Sequence, residues 1–145
     1  MDRAENAVTL FNQGFACAPA VFAPFSEGIG VEPKTALKIA CGFGAGMGQM
    51  GKTCGAATGA FMVIGLKYGK GTPAEELLKQ QTYALVREFT KKFEAINGTL
   101  VCRELIGYDL TTEEGLKAAR ASGIFRKSCL KYIRDAVMIL EDMGF

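Results

Sequence analysis

The sequence predicts an all-α protein, an irregular bundle of five to seven helices with one glycine-rich loop, and three observations predict it. Apolar residues recur three and four positions apart. No segment sustains the apolar/polar alternation of a half-buried strand, and the breaks between apolar stretches carry helix caps and stops. With 145 residues, 49% of them apolar, the chain is long enough to bury about 68% of the surface that it exposes when unfolded. One domain over residues 1–145 is the expectation.

Residues 2–13 read as a first helix: Asp2 can cap it, Ala4, Val8, Phe11 and Phe15 share a face, and Gly14 offers a stop. A second, short helix begins near Cys17 with Pro19 in its first turn. Residues 24–33 hold two Pro and two Gly and read as loop, after which Pro33 opens a helix to about Cys41. Ten of the 18 glycines then fall between Gly42 and Gly71, starting with GFGAGMGQMG, a run too flexible to be helical without tertiary support.

From about Thr53, the text CGAATGAFMVIGLKYG is continuous, apolar and rich in small residues, which favours a buried helix over a strand. Thr72-Pro73 starts a long amphipathic helix to about Asn97, with Leu78, Leu85, Val86, Phe89, Phe93 and Ile96 on one face. A helical turn over 102–106, a helix over 112–121 and a last one over 128–143 finish the chain.

Composition excludes several functions. The 17 Lys+Arg against 15 Asp+Glu leave a net charge of +2 with the signs mixed, so no basic stripe is offered to nucleic acid. The chain has no histidine, which removes Ser-His-Asp and Cys-His catalysis, HExxH zinc sites and the CxxCH attachment of haem. No general base can be named from the sequence. The polar start at Met1-Asp2-Arg3 is unlike a secretory signal. Lys52 splits the apolar stretch of residues 39–66 into uncharged pieces of 13 and 14 residues, each short of the ~20 that a spanning helix needs. The expectation is a cytoplasmic protein that inserts in no membrane, its thiols reduced or metal-bound.

Three constellations carry possible chemistry. Gly46 to Thr53, GMGQMGKT, fits the P-loop pattern, in which Lys52 would meet phosphate oxygens and Thr53 Mg²⁺. A P-loop follows a buried strand, whereas PKTALKIACGF before it reads as helix. The second is the set Cys17, Cys41, Cys54, Cys102 and Cys129, with no CxxC among them. Cys41 reads as a buried packing residue. The other four each follow a stop or a capping residue, which places them in the first turn of a helix, where free amides and nearby Lys52, Arg103 and Lys127 would favour thiolate. Third, Gly55 and Gly59 leave a stripe without side chains beside Cys54, open to a helix packed against it or to a cofactor.

At these residues the chain resembles the family of small redox-type proteins labelled C_GCAxxG_C_C. The resemblance is carried by FNQGFACAPAVF around Cys17, GFGAGMGQMGKTCGAATGAFMVIGLKYG around Cys54, CRELIGYDL from Cys102, and Cys129, in order along most of the chain. It implies a helical fold in which Cys17, Cys54, Cys102 and Cys129 act together, and a similar domain in split-Soret cytochromes is associated with a cysteine-bound iron–sulfur cluster. Carried over, these four would be the redox-active residues and the ligands of a 2Fe-2S or 4Fe-4S cluster, with zinc as the second option and no haem. They could instead form two exchangeable disulfides. The function expected is electron transfer or thiol exchange with a redox partner protein, from a monomer or a homo-oligomer. The alternatives are a helical interaction module with structural cysteines or metal and, third, a nucleotide binder.

Overall fold

The computed structural model describes residues 2–145. Eight α-helices form its frame: α1 Arg3–Asn12, α2 Cys17–Ser26, α3 Pro33–Ala40, α4 Gly55–Tyr68, α5 Glu76–Asn97, α6 Cys102–Ile106, α7 Glu113–Ser122 and α8 Leu130–Asp142. Among the described residues the β-pairing amounts to one isolated antiparallel bridge, Thr53 to Val101.

The bundle is organised around α2, which packs against α1, α3 and α4. Every residue of α2 except Pro24 is buried, so it is a core helix and not an amphipathic one. Small residues let α4 approach it closely. A Cβ on Gly59 would stand 2.6 Å from the Ala18 carbonyl oxygen, and one on Gly55 would stand 2.9 Å from the Cys17 Cβ. The long α5 then lays Phe89 and Phe93 against α4 and α8, where Ile64, Ile133 and Leu140 complete the core.

Local signals account for most of the ends. Asp2 and Glu5 form a reciprocal capping box at the start of α1. The Thr112 hydroxyl accepts from the Gly115 amide at the start of α7. Three boundaries differ from the sequence reading. Residues 24–26 are helical, because burial on all sides carries α2 past Pro24; the stop comes at left-handed Gly30, with the Val31 amide on the Ser26 carbonyl. The long helix starts at Glu76, since Glu75 turns its carboxylate back onto the Gly71 and Thr72 amides and makes residues 72–75 a turn. The last helix starts early: a π-helical turn, Phe125–Cys129, precedes α8, after Gly123 ends α7 in the left-handed region. On α5, Ile96 is 56% exposed and stands outside the apolar face it was expected to extend.

Candidate functional site

Four of the five cysteines reach one place. Cys17 is the first residue of α2, Cys54 caps α4, Cys102 opens α6, and Cys129 closes the π-helical turn before α8. All four are buried and unpaired by disulfides, and together they line a cavity of about 130 Å³ whose remaining walls are chiefly apolar, among them Phe11, Leu105, Ile106 and Phe125. Three of the four occupy the helix starts expected of them. Cys129 does not, since its helix is already under way from Ile124.

Two backbone devices hold this arrangement. The Thr53–Val101 bridge ties the start of α4 to the start of α6: the Cys54 amide donates to Leu100 at 2.7 Å and the Cys102 amide to Lys52 at 2.6 Å. The other is the glycine-rich run. Ala45, Gly46, Met47, Gly48 and Gln49 are all left-handed, with φ between 52° and 71°. Such backbone costs a non-glycine residue about 1–2 kcal/mol, and three of these five carry side chains. Ala45 and Gly46 form part of the cavity wall. A Cβ on Gly46 would stand 2.7 Å from the Cys102 Cβ, so glycine is required there by contact as well as by φ. The Gln49 amide nitrogen donates to the Leu110 carbonyl at 3.2 Å, fastening the run to the opposite wall.

A family model described as "Putative redox-active protein (C_GCAxxG_C_C)" matches residues 15–143. The chain belongs to this family. Comparison with curated proteins and with solved structures finds no match. The family gives the chain a redox role in general terms.

In this C_GCAxxG_C_C protein the four thiols are electrostatically unequal. Cys17 is raised well above the ordinary thiol value, first by hydrogen bonding to Cys129 and then by burial. Burial pushes Cys54 up to about 11, opposed by the Ala56 and Ala57 amides that face its sulfur. It pushes Cys102 up to about 12. Cys129 alone is lowered, because Cys17 donates to it. Helix starts and nearby cations were expected to favour thiolate at all four, and the structure corrects this for three: burial outweighs the helix ends at Cys54 and Cys102, and the hydrogen bond to Cys129 together with burial does so at Cys17. Lys52, Arg103 and Lys127 are exposed, and Arg103 pairs with Asp109 at 3.5 Å.

Other expectations are corrected as well. Cys41 is exposed, not packed. Gly59 is occupied with helix packing against Ala18 and Val21 and is absent from the cavity wall, while Gly55 meets both α2 and the cavity. The P-loop reading of residues 46–53 fails on its amides: those of Met47 to Lys52 all bond to carbonyls of the same loop, among them Gly48 to Gly42 at 2.8 Å and Lys52 to Gly46 at 2.9 Å. Those six are already bonded within the loop, and a short 3₁₀ turn, not a strand, precedes it. Tyr132, beyond the sequence-predicted set, lines the cavity and donates its hydroxyl to the Leu105 carbonyl at 2.9 Å.

Four thiols are a donor set suited to iron or zinc. Among the described residues, however, no three or more Cys, Asp or Glu side chains are grouped closely enough to hold a metal ion. The donors fit in chemistry and not in spacing.

Proposed function

We propose that the four-thiol cavity is a two-electron thiol/disulfide centre in which Cys17 and Cys129 are the exchanging pair. The observation that carries this reading is the gathering of four buried, unpaired thiols on the wall of one cavity, with Cys17 and Cys129 the two that face each other through a shared hydrogen. A bound hydrogen raises Cys17 and lowers Cys129, so Cys129 is the better nucleophile of the two. Its sulfur attacks one sulfur of an acceptor disulfide, the S–S bond breaks, and one acceptor thiol leaves with the proton. Cys17 then attacks the Cys129 sulfur, forming the Cys17–Cys129 disulfide and releasing the second acceptor thiol. Two protein thiols are oxidised and one acceptor disulfide is reduced. Cys54 and Cys102, held protonated by burial, keep the cavity neutral and serve as the second dithiol.

A second reading keeps Cys17, Cys54, Cys102 and Cys129 as ligands of an iron–sulfur cluster; the all-thiol donor set supports it, and it requires the sulfurs to draw closer together than they stand here. Such a cluster would supply one-electron transfer. A redox partner protein and a reducing compartment such as the cytoplasm belong to either reading. Among the described residues no helix is long and apolar enough to cross a membrane.

Anaerobic titration against a dithiothreitol redox couple, followed by alkylation and mass mapping, tests the first reading. One Cys17–Cys129 disulfide is expected, abolished by Cys17→Ser or Cys129→Ser and unaffected by Cys41→Ser. Absence of any intramolecular disulfide under the most oxidising condition would overturn it. Anaerobic reconstitution with iron and sulfide, read by visible absorption and metal content, decides the second: no bound iron removes it.

A further inference from the structure

An open space larger than the thiol cavity lies on the other side of Ala16 from it. It is a groove of about 620 Å³ between the start of α2 and the outer face of α3, floored by Phe15, Pro19 and Leu37. Along α3, Lys34, Lys38 and Cys41 follow one another at intervals of four and three residues, so they share the face that borders the groove. No carboxylate lines it. Among the described residues neither lysine enters an ion pair, whereas Lys70, Lys79, Arg103 and Lys131 all do. Two uncompensated positive charges therefore sit over an apolar floor, with the one exposed thiol of the chain at its end. That combination is complementary to a molecule with an apolar body and a carboxylate.

We propose that this groove binds small aromatic or aliphatic carboxylates, and that a disulfide of this class exchanges with Cys41. The apolar body lies on Phe15, Pro19 and Leu37, and the carboxylate meets Lys34 and Lys38. In the exchange, the Cys41 sulfur attacks one sulfur of the bound disulfide. The S–S bond breaks, a mixed disulfide with Cys41 forms, and the other half leaves as a thiol carrying the proton that Cys41 gives up. No further oxidant is needed. Cys41 takes no part in the four-thiol cavity, so this inference stands or falls independently of the function proposed above.

The test uses the full chain and two aromatic disulfides, dithiobis-nitrobenzoate, which carries carboxylates, and dithiodipyridine, which does not. Mass mapping reads the adduct at Cys41, and Cys41→Ser gives the background. The expected result is that K34Q/K38Q slows the anionic reagent at Cys41 by about three- to tenfold, the range of two exposed ion pairs, while the uncharged reagent is unaffected. Naphthoate, which has the same chemistry without a disulfide, should protect Cys41 from dithiodipyridine in the wild type and lose that protection in the double variant. An unchanged rate ratio in the double variant, or no protection by naphthoate, would overturn the proposal. Both variants lie on the surface, and a far-UV spectrum confirms that they fold.

Discussion

The molecule has two buried apolar regions that treat space in opposite ways. Between α4, α5 and α8, aromatic rings fill it: Phe61 meets Phe89 edge to face at 5.8 Å, and Phe89 stacks on Phe93 at 5.9 Å. Between the starts of α2, α4 and α6 and the turn before α8, four small thiols line about 130 Å³ that no side chain fills. Protein interiors are ordinarily close-packed, so a void bounded by four cysteines and by left-handed backbone is a feature the fold maintains at a cost. The aromatic layer holds the protein together, and the cysteine end uses some of that stability to keep sulfur atoms facing open space.

The largest expected effect lies on the filled side. Phe89→Ala removes a fully buried ring and should cost about 3–5 kcal/mol in chemical denaturation. The folded fraction should keep the wild-type Cys17–Cys129 pairing in the redox titration. If that pairing changed as well, the two regions would be one cooperative unit and the contrast between them would be lost.

A pair of glycine substitutions sharpens the contrast on the open side. Gly46 and Gly48 are both left-handed, at φ 71° and 59°, but only Gly46 has the Cys102 Cβ where its own would go; Gly48 has nothing closer than 3.9 Å. Gly48→Ala should cost about 1 kcal/mol, for the backbone alone. Gly46→Ala adds a forced displacement worth about 1–3 kcal/mol, for a total of roughly 3 kcal/mol, and should speed iodoacetamide labelling of Cys102. Equal losses in the two variants would mean that the left-handed run is strained without supporting the thiols.

These two regions also differ in how far the sequence discloses them. The amphipathic spacing of Leu85, Val86, Phe89 and Phe93 announces the buried face of α5, and Thr112 and Pro33 announce helix starts, because those signals are local and periodic. The cysteine cavity has no such signal. Its members lie 37, 48 and 27 residues apart, and what joins them is tertiary: a one-residue bridge at Thr53 and Val101, a left-handed run and a π-helical turn. Resemblance to a family picks out the same four cysteines but says nothing of their protonation, which burial sets against the helix-start argument. The general tendency of free cysteine to be buried fails for Cys41, whose exposure follows from its place at the end of α3, where the chain turns away and leaves it uncovered.

The thiols of the open region should give the protein an alkaline limit that the aromatic layer does not share. Cys54 titrates at about 11 in the folded protein, against about 8.5–9 for an unfolded thiol. Above the lower value the unfolded chain loses this proton and the folded one keeps it, so stability falls as pH rises from about 9 to 11 and is unaffected by this group below that window. The loss is on the order of 2 kcal/mol. Denaturation curves across that range should show it for the wild type and for Phe89→Ala alike, and less of it for Cys54→Ala. An identical slope in Cys54→Ala would mean that the thiol is not desolvated.

Tyr132 touches both regions, and the smallest predicted effect tests the boundary between them. Its ring leans on Phe93 at 6.2 Å, and its hydroxyl closes the cavity wall on the Leu105 carbonyl at 2.9 Å. Tyr132→Phe keeps the ring contact and removes one part-buried hydrogen bond, which should cost about 1 kcal/mol. The hydroxyl is committed to a carbonyl and not to a sulfur, so the midpoint of the Cys17–Cys129 couple should stay where it is in the dithiothreitol titration. A shifted midpoint with unchanged stability would mean that the phenol acts on the thiols directly, and the cavity would then have a proton donor of its own.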